Sequence, residues 1–347
     1  MSVSRRQFFI TTGLASLGTK AAAPQVPEIA LAASDYLRFT PLATGDLKPT
    51  GVNLTWIRGP RSEMLRRATS DPDVDGGETS MLGHLLRIDR GDRSLVAIPV
   101  FLLRNFTLRD LYVRSGSTLT PRRLEGRRVG IYNWAASGAV WYRQLLRYFD
   151  QDPKAIHWVV GGVDRASRVR HRAPLPPYVS DAPEDKSLSE LLRDGAIDAM
   201  FAPLRPQHYH AINGPIVRLV PDFRPMEKRY FEDTACYPTQ HVLVLRRETW
   251  ERGPELGPRL LELFQQCESR FQEGVHHFPY STPWMNAEVE ETDLLMGEDF
   301  HAHGFEKNRH EVDVFCRSAF EDGLTKRRVT VEDYFAEFLQ SARKGPA

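Results

Sequence analysis

Short apolar runs recur along this chain, and between most of them lies a stretch with helical spacing. That alternation is the signature of a mostly parallel α/β sheet. The strand candidates are Ile29–Ala33, Asn53–Ile57, Leu95–Val100, Leu111–Val113, Arg128–Ile131, His157–Val160, Ile197–Ala202, Ile216–Val220 and His241–Leu245. Of the helices between them, Ala135–Phe149 follows Asn133 as a candidate cap and sets Trp141, Leu145 and Tyr148 on one face. Leu256–Gln272 does the same with Leu260, Phe264, Cys267 and Phe271. The segment Asp164–Lys186, with four prolines and several charges, breaks the pattern and reads as a surface loop. At 347 residues the chain is long enough for two domains.

Charge narrows the partners. The 46 basic and 45 acidic residues nearly cancel, which argues against nucleic acid or an anionic membrane surface as a target. Only eight of the basic residues are Lys, and Arg carries the planar fork that suits carboxylates. Cys236, Cys267 and Cys316 are too few and too irregular for a disulfide framework or a zinc site. His276-His277 and His301-x-His303 lack the one-face spacing of helical metal ligands, so no metal is expected.

The start reads as an address. Arg5-Arg6 precedes Phe8-Phe9-Ile10, a short apolar stretch diluted by Thr11, Thr12 and Gly13, and then Lys20 and Ala21-Ala22-Ala23. Basic, apolar and small-residue parts in that order make a signal peptide, and the paired arginines resemble the twin-arginine motif. Residues 1–23 are therefore expected to direct the chain through the twin-arginine translocase to a periplasmic or other extracytoplasmic place, with cleavage after Ala23.

Several stretches carry a resemblance. Val96-Ala97-Ile98-Pro99-Val100-Phe101, Leu111-Tyr112-Val113-Arg114 and Leu124-Glu125-Gly126-Arg127-Arg128-Val129-Gly130-Ile131 are similar to the entry into the second lobe of type II periplasmic solute-binding proteins. More closely, the chain resembles the 4,5-dihydroxyphthalate decarboxylase family, which shares that fold. The supporting residues are Ala139-Val140-Trp141-Tyr142-Arg143, His157 to Gly162, Asp194 to Pro203, Tyr237 to Arg247, Met296 to Phe300 and Gly304 to Arg309. The resemblance implies an α/β, two-lobed, periplasmic-binding-protein-like fold of type II. Each lobe is then a mostly parallel sheet flanked by helices, with a hinge of two crossing strands. Residues 28–108 would form the first part of lobe one, 109–245 lobe two, and 246–347 the rest of lobe one. The chain departs from the family pattern at Asp75-Gly76-Gly77-Glu78-Thr79-Ser80, at Asn133-Trp134-Ala135-Ala136-Ser137 and at His301-Ala302-His303.

Open α/β sheets bind ligands beyond the carboxyl ends of their strands. That rule selects Asp35 and Tyr36 after the first strand, and Glu78, Thr79 and Ser80 in what reads as a Gly-bearing turn. It also selects Arg104, then Asn133, Trp134 and Ser137 at a helix start suited to an anion. Ala202, with Pro203, ends a later strand, and Thr239 and His241 lie where the chain returns. Arg143 adds a second guanidinium. Plainer roles stand beside these: a helix cap for Asp35, an ion pair for Glu78, acid partners for Arg104 and Arg143, a core position for Trp134 or His241.

Two functions follow. In the first, an exported receptor closes on a small aromatic carboxylate and passes it to an ABC permease. Arg104 or Arg143 grips the anion, Ser137 takes a second oxyanion, and Tyr36 or Trp134 stacks on a ring. In the second, a cofactor-independent carboxy-lyase protonates a hydroxylated ring as CO2 leaves, with His241 as acid and Glu78 or Asp35 orienting it.

Overall fold

The computed structural model describes residues 26–171, 174–277 and 282–344. The proposed leader, residues 1–23, lies outside the described residues.

Among the described residues the first sheet contains β1 (Glu28–Ser34), β2 (Asn53–Gly59), β3 (Gly76–Ser80), β4 (Leu95–Arg104) and β11 (Thr239–Arg246). The second contains β5 (Leu111–Arg114), β6 (Arg128–Ile131), β7 (His157–Val160), β8 (Val179–Asp181), β9 (Ala199–Phe201) and β10 (Ile216–Arg218). The helices are α1 (Thr40–Thr44), α2 (Arg61–Ser70), α3 (Met81–Asp89), α4 (Ser137–Tyr148), α5 (Leu188–Arg193) and α6 (Arg224–Thr234). After the second sheet come α7 (Arg247–Arg252), α8 (Leu256–His277), α9 (Met285–Met296), α10 (Phe305–Glu321), α11 (Val331–Tyr334) and α12 (Ala336–Lys344).

The strand orders are β2-β1-β3-β11-β4 and β10-β5-β9-β6-β7-β8. In the first sheet β11 runs antiparallel to both neighbours; in the second, β5 runs antiparallel to β9 and β10. All other pairings are parallel. The molecule is thus a two-lobed α/β protein with two mixed, mostly parallel sheets flanked by helices.

Both faces of each sheet are covered, so strands that read as unbroken apolar runs still obey a period of two. In β4, Ala97 and Phe101 enter one core while Val96, Ile98, Val100 and Leu102 enter the other; β11 divides Val242 and Val244 from Leu243 and Leu245 in the same way. Cys236, Cys267 and Cys316 are buried free thiols.

Three readings need correction. Gly76–Ser80 is a central strand, not a turn. The glycines are there for close approach: a Cβ on Gly76 would lie 2.1 Å from the Val244 carbonyl oxygen, and one on Gly77 2.0 Å from that of Ala32. The return to lobe one falls before Thr239 rather than after Leu245, because all of β11 pairs within the first sheet. The segment 164–186 is not all loop, since β8 adds an edge strand beside β7.

Helix α4 joins the lobes. Val140, Trp141 and Leu145 pack in a core shared with α3, β11 and α10, whereas Ala139, Tyr142 and Leu146 pack against the second sheet. Trp141 Nε1 donates to the Thr239 carbonyl at 2.6 Å. Arg143, fully buried, donates to Asp322 at 2.6 Å, and Arg147 also bonds that carboxylate.

Candidate functional site

The central position of β3 puts Glu78 at the middle of the first sheet. Its register partner on β11 is Leu243, so His241, two residues along, shares its face as a diagonal neighbour. Tyr36 arrives from the residues just past β1. The three side chains meet. The Glu78 carboxylate accepts the Ser34 amide at 2.7 Å, the Tyr36 hydroxyl at 2.5 Å and His241 Nδ1.

Glu78 has no solvent exposure. Burial alone would raise its pKa, but the hydrogen bonds from His241, Ser34 and Tyr36 and the His241 charge outweigh that and hold it at about 2. Tyr36 is driven the other way, far above its ordinary value, first by burial and then by the Glu78 charge. It stays a proton donor to Glu78. Because an ionised carboxylate can only accept, His241 Nδ1 carries hydrogen. Nε2 takes no hydrogen bond among the described residues and is not sealed in the interior. An imidazole fixed at one nitrogen by a buried carboxylate and open at the other is built for proton transfer.

Further polar groups sit beside His241 and Glu78 in sequence, at the alternate positions of β11 and β3. The side chains of Gln240 and Thr79, 8% and 7% exposed as residues, make no hydrogen bond among the described residues. The Tyr132 hydroxyl is likewise unbonded there. Their polar atoms are not sealed in the interior, so they stay open to solvent or to a ligand. A Cβ on Gly138 would lie 2.7 Å from Tyr132 Oη and 3.4 Å from Gln240 Oε1, which puts both groups beside the first turn of α4. That turn has no side-chain cap. Ser80 and Ser137 close one side, with their hydroxyls 2.7 Å apart across the lobes; Ser137 also accepts the Leu82 amide at 3.1 Å.

The structure brings together Tyr36, Glu78 and His241, with Ser80 in register with His241 and bonded to Ser137; Thr79 lies next to Glu78 along β3 but on the other face. It does not bring the remaining candidates to them. Asp35 is exposed and pairs with Arg58 at 3.2 Å, so it does not orient His241. Arg104 turns inward, where Glu311 at 2.9 Å, Asn308 and the Tyr237 carbonyl occupy its donors. Arg143 lies against Asp322 and over the Trp134 ring at 4.0 Å. Neither guanidinium is free to grip a ligand. Trp134 is a core residue, 4% exposed. Asn133 does not cap α4; its Oδ1 accepts the Ala135 amide at 2.9 Å, and the cap position is Ala136. Asn133 and Trp134 instead border a separate groove of about 470 Å³, with Arg170, His171 and Pro174 to Pro176 on one side and Gly323 to Lys326 on the other. Thr239 anchors the return crossing through Glu311 and Trp141. Ala202 donates its amide to the Asp110 carbonyl at 3.0 Å and offers no side-chain chemistry.

Gln240 and Tyr132 were missed. Gln240 sits beside a nominated histidine, and Tyr132 follows a nominated strand by one residue.

At the entry to the second sheet, burial first and foremost raises Asp110 to about 7 despite Arg109 nearby, and does the same to Glu227. Glu227 accepts the Arg109 amide at 3.0 Å, linking the two crossings between lobes.

No family model matches the chain. It is 28% identical over 317 residues to 4,5-dihydroxyphthalate decarboxylase from Comamonas testosteroni, covering 89% of this chain and 96% of that one. It is 29% identical over 184 residues to 4,5-dihydroxyphthalate decarboxylase from Pseudomonas putida, covering 51% of this chain and 71% of that one. Among solved structures, the periplasmic sulfonate-binding protein SsuA from Methylobacillus flagellatus superposes with a TM-score of 0.51 at 11% identity, covering 92% of this chain and 96% of that one. That likeness supports the periplasmic-binding-protein fold.

Proposed function

We propose that this homologue of 4,5-dihydroxyphthalate decarboxylase, with its periplasmic-binding-protein fold of type II, is itself a carboxy-lyase acting on a hydroxylated aromatic acid. The observation that carries the reading is the chain Tyr36–Glu78–His241, with Nε2 of the imidazole left open.

The chemistry asks for little else. A ring hydroxyl para to the departing carboxylate feeds electron density to the carbon that bears it. Protonated His241 delivers its Nε2 proton to that carbon. The bond to the carboxylate then breaks, its electron pair returns to the ring, aromaticity is restored and CO2 departs. One proton is consumed for each CO2 released. The ring holds the electrons throughout, so this route calls for no cofactor. The ionised Glu78 stabilises the imidazolium and fixes its plane. A positioned general acid is worth about 100- to 10,000-fold in rate.

The second reading is a solute receptor, favoured by the fold it shares with a sulfonate-binding protein. Under that reading the same pocket holds a small carboxylate for an ABC permease. The lobe-joining face of α4 weighs against it, because a receptor must open freely. Export by the twin-arginine translocase to an extracytoplasmic place is our reading of residues 1–23; fractionation of cells producing the full chain tests it.

The deciding experiment incubates purified protein with 4,5-dihydroxyphthalate and with phthalate, following CO2 release and thermal shift together. The enzyme reading expects CO2 from the first compound and its loss in His241→Ala, with the ligand-induced shift kept. A shift with no CO2 from the unaltered protein overturns it in favour of the receptor.

A further inference from the structure

The arginines nominated from sequence are committed inside the protein, which leaves open what holds a dicarboxylate ligand. β2 runs beside β1 with Gly59 opposite Ser34, so Arg61, the first residue of α2, stands just past the sheet edge where Tyr36 also emerges. Its side chain is exposed and makes no ion pair or hydrogen bond among the described residues. Its neighbour Arg58 is tied to Asp35. The Arg61 charge acts on two hydroxyls, Tyr36 in the first lobe and Tyr132 in the second, in each case easing an ionisation that burial opposes. Arg61 lies two residues past β2 as Tyr36 lies two past β1, so it stands on the rim of the first sheet where the Tyr36–Glu78–His241 group also lies.

We infer that Arg61 binds the carboxylate that stays on the ring, and so makes the site selective for ortho-dicarboxylates over monocarboxylates. The inference rests on reading this site as the decarboxylase site. The departing carboxylate loses its charge as CO2 forms, so a strong cation on it would stabilise the ground state more than the transition state. A cation on the retained group holds equally well throughout and contributes to positioning. Arg61 is thus a specificity residue, and His241 attends to the carbon losing CO2.

The test compares Arg61→Gln and Arg61→Lys with the unaltered chain. Dissociation constants are measured for phthalate and for benzoate, and KM and kcat for 4,5-dihydroxyphthalate. Losing a charged hydrogen bond predicts phthalate affinity about 10- to 100-fold weaker in Arg61→Gln, with a matching rise in KM. Benzoate binding stays within about twofold, since it lacks the second charge. Arg61→Lys recovers part of the loss. Equal weakening for both probes, or no change for phthalate, overturns the inference. If the unaltered protein binds phthalate but releases no CO2, the decarboxylase reading fails while the dissociation constants still judge Arg61; if it binds neither probe, both fail.

Discussion

A single carboxylate shows how much one residue depends on its surroundings. Glu78 is legible in the sequence as a candidate, yet nothing local says that a tyrosine 42 positions earlier and a histidine 163 positions later will share it. Arg104 and Arg143 show the converse. Their partners, Glu311 and Asp322, lie far along the chain in its C-terminal part, so the sequence left ligand grip and acid pairing both open where the fold has two ion pairs. Asp35 was the alternative to Glu78 and differs only in facing solvent. Replacing Glu78 with Gln removes the charge while keeping the size; CO2 release is expected to fall about 100-fold, measured at saturating substrate, with the ligand-induced thermal shift retained. The two acids at the second-sheet entry give a pH signature. Asp110 is raised from 3.8 to about 7, so between those values the folded chain holds a proton that the unfolded chain has lost, and stability falls as pH rises through that window. Asp110→Asn has no such site. Its melting temperature should decline less between pH 5 and pH 8 than that of the unaltered chain; an equal decline would count against the buried, raised carboxyl.

Elements were easier to read than contacts. β6 and β7 have the bounds that the apolar runs gave. β3 failed because Gly-Gly is ordinarily a turn signal. In this sheet the pair is needed to bring three strands together, and Gly77 also has φ +138. Gly77→Ala should therefore lower stability on the order of 1–3 kcal/mol or abolish soluble expression, as read by denaturant melts. A neutral result would mean that β1 and β3 are farther apart than described. For α4, periodicity found one apolar face through Trp141, Leu145 and Tyr148. The second face, through Ala139, Tyr142 and Leu146, escaped because only tertiary structure says that a helix is sandwiched.

For the whole molecule, the two-lobed architecture was legible because βα alternation constrains topology strongly. The freedom of the lobes to part was not. Exposing Val140, Trp141 and Leu145 would cost on the order of 5 kcal/mol, from burial of large apolar side chains at about 1.5–3 kcal/mol each. Parting the lobes would also break the ion pair of Arg143 with Asp322. A large apolar interface argues against free relative motion. Small-angle scattering should accordingly show no measurable change in radius of gyration on adding phthalate, whereas a clear contraction would revive the hinge-closing receptor. The place of β11 has a consequence for biosynthesis. A chain emerging from the ribosome has made β1 to β4 long before Thr239–Arg246 exists, and until then a slot stands empty between β3 and β4. The amino-terminal half therefore cannot mature first, as nascent domains commonly do. It must wait, with unpaired strand edges exposed, for a segment that also delivers His241.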